Sequence, residues 1–151
     1  MAAVERAHPY GAFKFLVEFS EVAGAPAIKA GFSDVSGLGM EVNYSEYRGG
    51  DSLVNTVSKI PNTFKLDETT LKRGLVGSTD IFKWCEKVSQ GNYMPRNVTI
   101  VVNDETGTFA LSVVLKNAQP KKWLGPTLAA KGGGEVAMEE LHLVHEGIEY
   151  E

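Results

Sequence analysis

With 151 residues, 43% of them hydrophobic and 23% charged, the chain has the size and composition of a single globular domain with its own core. A net charge of −4 and a pI near 5.4 exclude nucleic-acid binding through bulk positive charge. One cysteine excludes an internal disulfide, no apolar run approaches the ~20 residues of a membrane helix, and the N-terminus lacks the apolar core of a signal peptide. Synthesis in the cytoplasm is the expectation.

Residues 1–12 form a polar lead-in punctuated by Pro9 and Gly11. From 13 to 19 the chain alternates, with Phe13, Phe15, Val17 and Phe19 on one face, as in a strand with an aromatic inner side. Residues 21–26 carry turn chemistry, 28–35 read as a second strand, and Ser36, Gly37, Leu38 and Gly39 end it. Residues 40–47 alternate again, Met40, Val42, Tyr44 and Glu46 against Glu41, Asn43, Ser45 and Tyr47, and neither face is cleanly apolar. Such a strand lies at an edge, or its second face meets a partner or a water-filled space. Arg48, Gly49, Gly50 and Asp51 make the tip of a long hairpin whose return arm reads as 53–60, through Leu53 and Asn55. The region 40–60 is too polar for core and long enough to project.

Residues 63–71 read as a further strand, with Lys72, Arg73 and Gly74 leading to a helix. The segment 78–91 is the one convincing amphipathic helix. Ile81, Trp84, Cys85 and Val88 follow the i, i+3, i+4, i+7 rhythm, while Lys83, Glu86 and Lys87 fall on the opposite side. Ser78 or Thr79 can cap it, and Gly91 offers a left-handed stop. About three turns do not hold together alone in water, so the helix needs a sheet to lie on. Beyond it, 98–102 and 108–115 are the clearest strands, joined by a turn at 103–107. Residues 118–131, with Pro120, Trp123 and Pro126, read as a loop with an anchoring aromatic, and Gly132, Gly133 and Gly134 as a flexible link. A terminal strand fits 136–146 better than a short helix does. The fold expectation is a single domain over 1–151, mainly β, a small antiparallel β-barrel or sandwich with one flanking α-helix at about 78–91.

Chemistry is sparse. His142 and His145 point to opposite faces of a strand and cannot share a metal ion there. The glycines at 132–134 lack the spacing and the Lys-Ser/Thr of a phosphate loop. Glu139 with Glu140, and Asp67 with Glu68, are neighbours that diverge on a strand, so neither pair is an acid/base couple. Cys85 sits on the apolar helix face and reads as a small buried hydrophobe. No catalytic, cofactor-binding or metal-binding constellation emerges, and an enzyme is not expected. The two-sided polarity of 40–60 instead suits pairing with neighbouring subunits.

Gly31-Phe32-Ser33-Asp34-Val35-Ser36-Gly37-Leu38, followed by Glu46-Tyr47-Arg48-Gly49-Gly50, resembles the corresponding segment of contractile-tail tube proteins. The resemblance continues through Lys59-Ile60-Pro61, Leu71-Lys72-Arg73-Gly74, Phe82-Lys83-Trp84 and Asn97-Val98-Thr99-Ile100, and closes with the Glu-Val-Ala-Met-Glu-Glu-Leu and His-Glu-Gly pattern within 134–147. It covers about 10–148. Asn62 stands where the family has glycine after the proline, and three glycines at 132–134 replace a more polar stretch.

The resemblance implies a structural protein of phage tails or phage-like contractile injection systems, similar to the type VI secretion tube protein. It implies a homohexameric ring, stacked into a hollow tube within a sheath protein and joined to spike, baseplate and tube-initiator proteins. Cargo protein or DNA would occupy the lumen, with no stable membrane insertion by the subunit. Assembly in the cytoplasm and release as a virion or particle follow from the same likeness. Tyr44, Glu46, Tyr47, Arg48, Gly49, Gly50, Asp51, Leu53 and Asn55 are then candidates for inter-subunit and inter-ring contact, and Lys83, Glu86 and Lys87 for contact with the sheath. A tube-initiator or adaptor ring, and a monomeric β-barrel binding module for a small ligand, are the competing readings.

Overall fold

The computed structural model describes residues 3–11, 14–22, 25–51, 53, 56–75, 77–132 and 136–151. In chain order they form β1 Phe15–Phe19, β2 Ile28–Ala30, β3 Asp34–Ser36, β4 Met40–Tyr47, β5 Ser58–Leu66, β6 Thr69–Gly74, α1 Asp80–Ser89, β7 Arg96–Asn103, β8 Phe109–Leu124, β9 Met138–Val144 and β10 Gly147–Tyr150. All pairings are antiparallel, and the main path runs β2-β1-β7-β8-β9-β6-β3, with β10 beside β8 and the β4–β5 pair on its own. Phe13, at the start of the expected first strand, and the glycine link at 133–134 lie outside the described residues.

The 16-residue β8 is the corner of the molecule. Its first part pairs with β7 and β10, its last part with β9. Between them Asn117 takes a positive φ of 50°, a conformation that asparagine tolerates better than most residues. The 118–131 stretch is therefore not all loop: strand continues to Leu124. Pro120 is accommodated because β7 has ended by Ala118, leaving that side of β8 an edge where no N–H is needed.

Strand register builds the core in rows. Phe15, Val17 and Phe19 lie opposite Val102, Ile100 and Val98, which lie opposite Leu111, Val113 and Leu115. Leu71, Leu141 and Leu143 come from the second half, and Ile81 and Trp84 from the helix. The expected strand 28–35 is split, because Phe32 turns inward against Phe19, at 6.1 Å between rings, as the chain crosses from one layer to the other. The strand path ends at β2 and β3 without closing on itself, so the single chain is an open sandwich and not a closed barrel.

The helix lies where its periodicity places it. Ile81 and Trp84 are buried, and the Trp84 indole donates to the Met94 carbonyl at 2.9 Å. Thr79 stands at the N-cap without a side-chain hydrogen bond, so neither expected capping contact to the first amides forms; Ser78 donates to Asp80 instead, at 3.0 Å. Gly91, at φ 94°, provides the left-handed stop. Burial pushes the Cys85 thiol up to about 11, which keeps it protonated and unreactive at neutral pH. The described part of the N-terminal lead-in is tied to the sandwich at Val4 and Arg6. Arg6 clasps both carboxylate oxygens of Glu105 at 2.8 Å and lies over the Tyr10 ring, and the Val4 amide donates to Ala110.

Candidate assembly surfaces

β3–β4 and β5–β6 form one long two-stranded ribbon with a joint in it. Below the joint, β3 pairs with β6 inside the sandwich; above it, β4 pairs among the described residues with β5 alone and projects. Gly37 makes the joint possible. Its φ is +81°, and a Cβ there would lie 2.1 Å from the Glu68 carbonyl oxygen. The Asp67 amide donates to the Gly39 carbonyl at 3.1 Å and closes the crossing.

The return arm of the hairpin is 58–66, not the expected 53–60, and this changes the face analysis. Met40 lies opposite Leu66, Val42 opposite Phe64, Tyr44 opposite Pro61 and Glu46 opposite Lys59. On the other face Glu41 lies opposite Lys65, Ser45 opposite Ile60 and Tyr47 opposite Ser58. A bulge at Asn62 and Thr63 opposite Asn43 shifts the alternation of β5 by one. Asn43 donates to Thr63 at 3.3 Å and Asn62 to Ser45 at 3.1 Å. One face is thus apolar for most of its length, ending in the Lys59–Glu46 ion pair, and the other is mainly polar. Among the described residues most of the apolar face is uncovered: Met40 is 58% exposed, Tyr44 57% and Phe64 64%.

Met40 and Val42 lie within the stretch 40–60 that the sequence marks for pairing but are not among its individual candidates, and Pro61, Phe64 and Leu66 lie beyond it. The missing signal is the bulge, which hides the alternation of β5 from a period-two reading. Tyr44, Glu46, Tyr47, Arg48, Gly50, Asp51 and Leu53 are exposed as expected and Gly49 is half-buried, all on this one ribbon and its tip, while Asn55 lies outside the described residues. Lys83, Glu86 and Lys87 are exposed on a separate element, the outer side of α1.

A second unfilled surface lies at the open end of the sandwich. Between β3 and the β1–β7 rows a cleft of about 370 Å³ is lined by Phe15, Val35, Leu38, Ile100 and Val102, with Ser33 and Asp34 at its polar side.

The interior under the helix holds a buried ion pair unmarked by any motif. Arg73 donates to Glu139, which also accepts from the Trp123 indole at 3.3 Å, and Arg73 reaches the Ser78 carbonyl at 3.2 Å. Glu140, the next residue, faces outward to Lys72 and His142, so the adjacent carboxylates diverge as their strand position requires. His145 instead meets the Gly147 carbonyl, at 3.1 Å. These contacts satisfy charge and position β6 against β9; they form no nucleophile or acid/base pair.

The family model of the T4-like virus tail tube protein gp19 matches residues 11–149. No curated protein sequence matches the chain. Among solved structures, a chain of the anti-feeding prophage baseplate is 21% identical with a TM-score of 0.85, over 96% of this chain and 97% of that one. A chain of the PVC extracellular contractile injection system sheath–tube complex in the extended state is 23% identical, with a TM-score of 0.82 over 96% and 93%. A chain of the PVC sheath/tube terminator is 25% identical, with a TM-score of 0.81 over 99% of each.

Proposed function

Since the chain belongs to the T4-like virus tail tube protein gp19 family, we propose that it is the repeating inner-tube subunit of a contractile injection system, forming homohexameric rings that stack into a hollow conduit. That family is one of tail tube proteins, and no enzymatic family is indicated. The observation that carries the reading is the pairing of an uncovered apolar ribbon face with an uncovered apolar cleft on the same subunit. The ribbon projects from its own sandwich, so it docks on a neighbour, whose ribbon docks on the next. Such head-to-tail contact closes into a ring when the rotation fits. Each apolar side chain buried this way contributes about 1.5–3 kcal/mol when fully covered.

In this reading the Arg48–Asp51 tip reaches the adjacent ring, the outer side of α1 meets the sheath, and the lumen passes protein or DNA cargo. The baseplate chain that this fold resembles favours one second reading, a tube-initiator ring of the same machine. Negative-stain electron microscopy with light scattering separates the cases. Stacked six-fold tubes are expected; single rings that never stack assign the initiator role, and a monomer of 16.4 kDa at every concentration overturns both. Replacing Gly49 and Gly50 with bulky residues blocks stacking if the tip joins rings, and filaments of normal length after that change remove the tip from the interface.

A further inference from the structure

Beside the helix lies a small cavity of about 100 Å³, walled by Ala25, Pro26, Ile28, Trp84 and Met94. Lys83, Lys87, Arg96 and Asp80 complete its lining, three cations against one carboxylate. Neither lysine makes an ion pair among the described residues, and both are exposed. Arg96 is different: it is 3% exposed. Its Nη1 donates to the Ser20 and Pro26 carbonyls, each at 3.1 Å, its Nε has no partner, and its guanidinium lies 5.3 Å from the centre of the Trp84 ring. No carboxylate lies within ion-pair distance of it among the described residues, and burial pulls its pKa down. A buried cation held only by carbonyl dipoles and an aromatic face retains an unmet attraction for an anion.

We propose that this cavity is a socket for an acidic side chain, a glutamate or aspartate of a partner protein that packs against the outer side of the helix. The apolar walls take the methylenes, and Arg96, Lys83 and Lys87 face the carboxylate. The size of the cavity admits one side chain and no more, which makes it a point of registration rather than a broad interface. The inference rests on the reading that this side of α1 meets a partner, but the socket itself is testable without one.

The test uses the full chain with 5-fluorotryptophan at both tryptophans, the Trp84 signal being identified by comparison with Trp123→Phe. Titration with 4-methylpentanoate is compared with titration by its neutral isostere, 4-methylpentanamide. The carboxylate is expected to shift the Trp84 signal saturably and to bind about ten-fold more tightly than the amide, a ratio that falls as salt rises. Lys83→Met with Lys87→Met, two exposed changes that leave the core intact, should weaken carboxylate binding several-fold without altering amide binding. Equal binding of the two compounds, or no movement of Trp84 with either, overturns the proposal and leaves Arg96 a purely structural arginine. Microscopy of the same lysine variant separates this outcome from failure of the tube reading, because ring formation does not depend on the socket.

Discussion

The sandwich and the projecting ribbon use the same antiparallel alternation to opposite ends. In the sandwich, each inward row meets another: Val17, Ile100 and Val113 face Leu71, Leu141 and the helix, and even the charged Arg73 and Glu139 neutralise one another. In the ribbon, Met40, Val42, Tyr44 and Phe64 form an equally regular row that meets no other row among the described residues. A single subunit therefore carries one completed core and one half-core, and only the first contributes to its own folding. The two regions should respond to mutation in opposite ways.

The largest loss of subunit stability is expected inside the sandwich. Arg73→Met strands Glu139 in a buried site and should cost about 3–5 kcal/mol in denaturant unfolding, while Arg73→Met with Glu139→Leu should recover most of it. A double variant no more stable than the single would show that packing, not charge, dominates there. At the joint, Gly37→Ala forces a side chain into the left-handed region and against the Glu68 carbonyl, for about 1–3 kcal/mol. It should also misaim the ribbon, so assembly falls further than stability does. In the ribbon itself, Val42→Ser with Phe64→Ser should move the unfolding midpoint of the dilute subunit by no more than about 0.5 kcal/mol. Rings should nevertheless disappear from micrographs; unchanged rings would show that the apolar face is not an interface.

The smallest effect is expected at the N-terminal clasp. Arg6 holds the Glu105 carboxyl down to about 2, below its ordinary 4.5. A lowered carboxyl contributes stability above its unfolded value and loses it as pH falls through the folded one. The protection of the Val4 amide, taken as its exchange relative to the intrinsic rate at each pH, should therefore fall as pH drops from about 4.5 to about 2, and Arg6→Ala should lower that protection already at neutral pH. Global unfolding should hardly change, because the pair is solvent-exposed and screened.

What the sequence disclosed follows from where physical causes are local. The helix was legible because Ile81, Trp84, Cys85 and Val88 repeat at its own period, and β4 because eight residues alternate without interruption. The break between β2 and β3 was not, since Phe32 continues the apolar run while leaving the strand. Nor was the strand from Ala118 to Leu124, because Pro120 reads as a breaker until its edge position is known. The apolar ribbon face depended on a bulge, the Arg73–Glu139 pair on two residues 66 positions apart, and the cavity at Arg96 on three separate elements. Those are products of topology, and no window along the chain contains them.

The isolated β4–β5 ribbon also has two outer edges with no strand beside them among the described residues. An unpaired edge is indiscriminate, since any extended chain offers the same carbonyls and amides. Pro61 withholds one amide, and Glu41, Lys65, Glu46 and Lys59 place charge on the way in. The consequence is kinetic. In the proposed assembly, correct capture by a neighbour and edge-to-edge sticking to an unfolded chain are both two-body encounters, so their ratio follows the ratio of folded to unfolded chains at hand. If the ribbon is the docking element proposed above, the supply of folded subunits relative to unfolded ones is part of what determines whether a tube or an aggregate forms.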